Sequence, residues 1–106
     1  MKNDFEKEIG YSLKRISEYF CKKTPREVIF ADADNYDYEI SEIFQKWRKS
    51  FPEKPFEKVF PCFDALWEEL ASWNAQEPWT HEKAERIIKL AKNALKEVEE
   101  YLEKIG

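Results

Sequence analysis

The chain has 106 residues, 42% apolar and 16% aromatic, with 38% charged side chains and two glycines. That size and composition suit one modest core built from charge-laced helices, and they exclude a disordered chain or a turn-rich β fold. The net charge of −4 and the pI near 5.2 argue against a phosphate-binding domain.

The charge is unevenly placed. Residues 1–26 hold seven basic and four acidic side chains, residues 27–78 five basic and twelve acidic, and residues 79–106 six of each. The middle therefore carries an acidic field able to steer a basic partner. No run of about 18 apolar residues offers a membrane span. The opening MKNDFEKEIG lacks a signal-peptide apolar stretch, which points to a cytoplasmic setting. Cys21 and Cys62 lie far apart without a CxxC, so buried thiols are expected in preference to a disulfide.

The first helix is predicted from about Asp4 to Lys23. Phe5, Ile9, Leu13, Ile16 and Phe20 step by three or four, and Asn3 with Glu6 has capping-box spacing. Gly10 interrupts the stripe at a cost of about 1 kcal/mol relative to Ala. Thr24-Pro25 should end the helix, because a residue before proline avoids the helical region.

Residues 27–40, EVIFADADNYDYEI, read two ways. Val28, Ile29 and Phe30 are β-prone and Tyr36, Tyr38 and Ile40 alternate, so a small hairpin is one expectation. The stepping of Tyr36, Ile40, Ile43, Phe44, Trp47 and Phe51 favours a helix over about Tyr36 to Ser50, capped by Asp34 or Asn35. A calcium loop fails here, because Tyr36 stands at its fifth position, its glycine is missing and Ile43 ends it.

FPEKPFEKVFP, residues 51–61, is predicted as a loop from its three prolines, with Phe51, Phe56 and Phe60 folding back onto the core. The next helix carries FDALWEELASW, Phe63 to Trp73, with Pro61 in its first turn. Phe63, Leu66, Trp67, Leu70 and Trp73 share one arc, while Asp64, Glu68 and Ser72 form a ridge beside it. Trp67 falls at the border, where a half-exposed indole beside carboxylates could anchor a basic partner. The last helix is capped by Thr80 and runs close to Ile105. Its seam is Ala84, Ile87, Ala91, Ala94, Val98, Tyr101 and Ile105, flanked by Ile88, Leu95 and Leu102.

Catalytic groups are scarce. His81 is the sole histidine, and Gly10 and Gly106 cannot make a phosphate loop. Glu39-x-x-Glu42 and Glu97-x-x-Glu100 have spacing that could serve a magnesium-dependent hydrolase, but such spacing is common by chance among 22 acids and a solvated face is the favoured reading.

FDALWEELASW resembles the inhibitory helix of barstar-like ribonuclease inhibitors, close to LDALWDALTGW. Asp64, Ala65, Leu66, Trp67, Leu70 and Trp73 match by identity, and Glu68 matches an acid. VIFADADNYDYEISEIFQKW resembles that family's opening strand and helix, so the likeness covers residues 27–73. Beyond Trp73 a long charged helix stands where the family has further strands, and KVFPC replaces its Tyr-Tyr-Gly lead-in. The resemblance implies that Asp64 and Glu68 face a basic nuclease cleft, with Trp67 and Trp73 supporting that surface.

The expected fold is therefore an all-α, four-helix bundle-like single domain over residues 1–106, the alternative being α+β with a hairpin or small sheet from residues 27–40. The expected function is a non-catalytic inhibitor of immunity or antitoxin type that binds a basic toxin or nuclease. No cofactor, no metal, no membrane and no direct nucleic-acid contact are expected, and the state is monomer or homodimer. The expected partner-binding set is Asp64, Trp67, Glu68, Ser72, Trp73, Asp32, Asp34, Asp37, Glu39 and Glu42. One alternative is a viral or mobile-element inhibitor of a host nucleic-acid enzyme, acting by nucleic-acid mimicry. Another is a carboxylate-metal hydrolase using Glu39, Glu42, Glu97 and Glu100.

Overall fold

Helical periodicity governs the chain in a computed structural model that describes residues 2–50, 59–73 and 80–105. Helix α1 is Lys2–Cys21, α2 is Phe30–Ser50, α3 is Val59–Ser72 and α4 is His81–Ile105. A single 3₁₀ turn, Pro25–Glu27, links α1 to α2. No strand occurs among the described residues, so the architecture is all-α. None of these helices is long and apolar enough to cross a membrane.

The expected stripes form the core. Ile9, Leu13, Ile16 and Phe20 of α1, Phe63, Leu66 and Leu70 of α3, and Ala84, Ile87, Ala91, Ala94 and Val98 of α4 are all buried. Burying such side chains contributes roughly 1.5–3 kcal/mol for each large one, which makes this stripe the main stabilising term.

Pairings between neighbours fix the topology. Arg15 of α1 meets Glu39 of α2, and Tyr19 meets Tyr36 at a ring-centroid distance of 4.8 Å. Phe60 of α3 stacks on Phe44 of α2 at 4.6 Å. Glu69 of α3 pairs with Arg86 of α4 at 3.1 Å, and Ser72 meets Lys83 at 3.0 Å. Each pairing matches later residues on one helix with earlier ones on the next, so consecutive helices run antiparallel. Helix α4 closes the circuit against α1. The Tyr101 hydroxyl donates to Glu6 Oε2 at 2.7 Å, and Gly10 lies under Leu102.

Several boundaries differ from expectation. The hairpin at residues 27–40 does not form, and neither does the strand that the ribonuclease-inhibitor resemblance implies there. Val28 is fully buried and donates its N–H to the Pro25 carbonyl at 3.3 Å. The helical ladder then begins at once, with Ala33 N–H donating to the Ile29 carbonyl at 3.2 Å. Helix α2 thus starts at Phe30, six residues before Tyr36, and neither Asp34 nor Asn35 caps it. Two alanines and Asp32 suit its first turns, and a short β-prone run finds no partner strand.

The expected loop at residues 51–61 is helical from Val59, with Pro61 in the first turn. Phe60 packs on α2 as expected, while residues 51–58 lie outside the described residues. Helix α1 ends at Cys21, and Thr24 opens the 3₁₀ turn. Glu27 Oε1 accepts from the Thr24 N–H at 2.8 Å and from its hydroxyl at 2.9 Å. The Thr80 cap is present: its Oγ1 accepts from the Lys83 N–H at 3.2 Å. Both cysteines are free thiols.

Candidate functional site

The two acidic rows meet through Trp67. On α2, Asp37 and Phe44 are seven residues apart; on α3, Phe60 and Trp67 are also seven apart. Phe44 stacks on Phe60, and Trp67 acts on Asp37, so the helices keep an antiparallel register for about 10 Å. The Trp67 Nε1–H is shut off from solvent and has no full hydrogen bond among the described residues. It lies on the Asp37 side, where it favours the ionised carboxylate. Burial outweighs that help, and with Asp34 adding like charge the Asp37 carboxyl is pushed above its ordinary range.

Helical geometry shows which carboxylates share this seam. Trp67 faces α2, and Glu69, two residues on, faces Lys83 and Arg86 of α4 at 3.5 and 3.1 Å. Glu68 falls between those directions, opposite the core, and is exposed. Asp64 lies on the flank nearer α2 and is half-buried. On α2, Asp37 faces α3, while Asp34, Tyr38 and Glu42 follow one outward ridge at spacings of four. Tyr38 is 68% exposed, among the most exposed large side chains described. The resulting face holds Asp34, Asp37, Glu42, Asp64 and Glu68 around Tyr38 and the Trp67 edge. None of those five acids forms an ion pair among the described residues.

Four members of the expected set sit elsewhere. Asp32 and Glu39 turn toward α1: Glu39 pairs with Arg15, and Asp32 acts on Lys23. The run Asp32 to Glu42 is therefore split, because residues 32 and 39 fall about 140–160° round the helix from 34 and 37, with residue 42 between the two groups at about 60–80° from 32 and 39. Trp73 is 4% exposed and belongs to the core, so it presents nothing to a partner. Ser72 is exposed but engaged: its hydroxyl donates to the Glu69 carbonyl and accepts from Lys83 Nζ, both at 3.0 Å.

Sequence reasoning missed Tyr38 and Glu69. The 36/38 alternation drew attention to a hairpin, whereas the i,i+4 series Asp34–Tyr38–Glu42 was the signal for an exposed ridge. Glu69 gave no signal, because its ion pairs depend on how α4 folds back.

The described residues contain no group of three or more His, Cys, Asp or Glu side chains able to hold a metal ion. The postulated quartet is dispersed: Glu39 binds Arg15 on one side of the bundle, while Glu97 acts on the Cys62 thiol of α3. His81 lies at the start of α4, exposed and 2.6 Å from Glu85.

Comparison with known proteins finds no matching family model, no matching curated protein and no matching solved structure.

Proposed function

We propose that the chain is a non-catalytic binding protein of the inhibitor type, immunity or antitoxin, which presents the α2–α3 face to a basic surface of a toxin or nuclease. The observation that supports this reading is the junction at Trp67, which brings Asp37 of α2 beside the Asp64–Glu68 ridge of α3. Five carboxylates with no cation partner among the described residues then lie around two aromatic side chains. Interfaces favour such a composition, with aromatic anchors at the centre and charge at the rim. Unpaired carboxylates steer a basic partner, and close charge pairs formed on docking couple by about 1.5–7 kcal/mol.

The test is affinity capture from the native cell with the protein and with a variant carrying Asp34→Asn, Asp37→Asn, Asp64→Asn and Glu68→Gln. The expected result is a basic protein retained by the parent, released by moderate salt, and not retained by the variant. Equal retention by the folded variant would remove this face as the binding surface.

A further inference from the structure

Helix α2 turns one ridge wholly outward. Asp34, Tyr38 and Glu42 follow it at spacings of four, and all three are exposed. The half-buried aromatics beside the core are already engaged. Tyr19 and Tyr36 pack on each other at 4.8 Å and on Phe20 at 5.3 and 5.2 Å, and Phe60 stacks on Phe44. Tyr38 enters no ring contact among the described residues, so its ring faces are open.

The flanks of that ring are anionic. Carboxylates four residues before and after it stand about 5–6 Å along the ridge. Neither Asp34 nor Glu42 has an ion pair among the described residues. Tyr11 of α1 provides the contrast. It is 58% exposed, but Lys7 and Arg15 hold the same two flanking positions. Only Tyr38 thus joins an open aromatic ring to free carboxylates.

That pairing suits one kind of cation better than another. A guanidinium is planar and weakly hydrated, so it can lie on an aromatic ring while its fork of N–H donors meets a carboxylate. An ammonium is compact and strongly hydrated and has no flat face to stack. We infer that the basic partner docks through an arginine, its guanidinium on the Tyr38 ring and its fork on a carboxylate of the same ridge. Tyr38 is then the residue by which this face prefers arginine to lysine. The inference rests on the inhibitor reading of the α2–α3 face and names the side chain that this face selects.

The test is titration of the whole protein with two Gly/Ser peptides of equal length and charge, one carrying arginines and the other lysines. Amide NMR shifts at low salt follow the binding. The arginine peptide should bind about three- to fivefold tighter, with shifts centred on residues 34–42. Tyr38→Leu should abolish that preference while keeping the affinity for the lysine peptide, and Tyr11→Leu should leave both unchanged. Equal affinities in the parent overturn the inference. So does a preference that survives Tyr38→Leu or disappears with Tyr11→Leu. If the two peptides bind equally and both are lost on neutralising Asp34, Asp37, Asp64 and Glu68, arginine selection falls and the acidic docking face stands. Binding of neither peptide also overturns the inference, and the capture experiment then decides the inhibitor reading by itself.

Discussion

Trp67 of α3 lays its indole N–H, sealed from solvent, against the side of α2 that carries Asp37. The pair is the seam of the acidic face. It is also an imperfect one, since the donor lacks a full hydrogen bond among the described residues and the carboxyl is partly desolvated. Interaction surfaces often retain such local cost, because a bound cation would relieve it.

Asp37→Asn tests this cost. Burial raises the Asp37 carboxyl above its ordinary range in the folded chain, with Asp34 raising it further and Trp67 opposing. A group whose folded pKa is raised contributes stability while protonated, and that contribution is lost as pH rises through the folded pKa. The Asn variant should therefore match the parent in acid and exceed it at neutral pH, by no more than about 0.5 kcal/mol for so exposed a site. Urea unfolding at both pH values measures it. A variant less stable than the parent at neutral pH would show that ionised Asp37 is stabilising.

Tyr101 and Glu6 join the last helix to the first. The hydroxyl donates to a carboxylate on a residue only 8% exposed, so removing the donor leaves a buried acceptor unmet. Tyr101→Phe should cost about 1.5–3 kcal/mol by urea unfolding. Pairing it with Glu6→Met should recover part of that loss, because the orphaned carboxylate is then gone. Burial, then the bond to Glu6, pushes the Tyr101 hydroxyl far above the usual tyrosine range. In an ultraviolet alkaline titration, one of the five tyrosines should thus ionise only as the fold opens.

The helical stripes were legible because burial of one face is a local property of spacing. Ile9, Leu13, Ile16 and Phe20 needed no knowledge of what covers them. Which neighbour a flank meets is not local. Asp32 and Asp34 look alike in sequence, yet one turns toward Lys23, just past the end of α1, and the other outward beside Asp37. Trp67 and Trp73 also look alike on a helical wheel. Trp73 is buried because α4 folds back over it, as its proximity to Lys83 at 6.0 Å shows. The early start of α2 was hidden by Val28 and Ile29, whose β preference counts for nothing without a strand to pair with.

The thiols give a third prediction. Burial raises Cys21 most, Glu18 and Glu99 add to it, and Lys92 pulls the other way. Burial also raises Cys62, with Glu97 adding to it. Less thiolate exists at neutral pH than in free cysteine, and the thiolate is the nucleophile. Both residues should be alkylated more slowly than free cysteine, each rate reaching its plateau at higher pH. Lys92→Gln should slow Cys21 further and leave Cys62 unchanged. Site-resolved mass spectrometry reads the rates, and alkylation at the speed of free cysteine would contradict the shift.

Gly10 explains an apparent flaw in α1. A methyl group built there would stand 2.6 Å from Leu102 Cδ2 and 3.3 Å from Cγ, so a side chain at position 10 requires Leu102 of α4 to shift. Gly10→Ala by itself sets a helix-propensity gain of about 1 kcal/mol against displacement of Leu102. In the parent these should nearly cancel or leave a net loss. In a Leu102→Ala background the obstruction is gone, so the same substitution should stabilise by about 1 kcal/mol. A double-mutant cycle by urea unfolding isolates the difference, expected at about 0.5–3 kcal/mol for residues in contact. An equal effect of Gly10→Ala in both backgrounds would mean that Leu102 moves aside freely and that the glycine is not set by the α1–α4 contact.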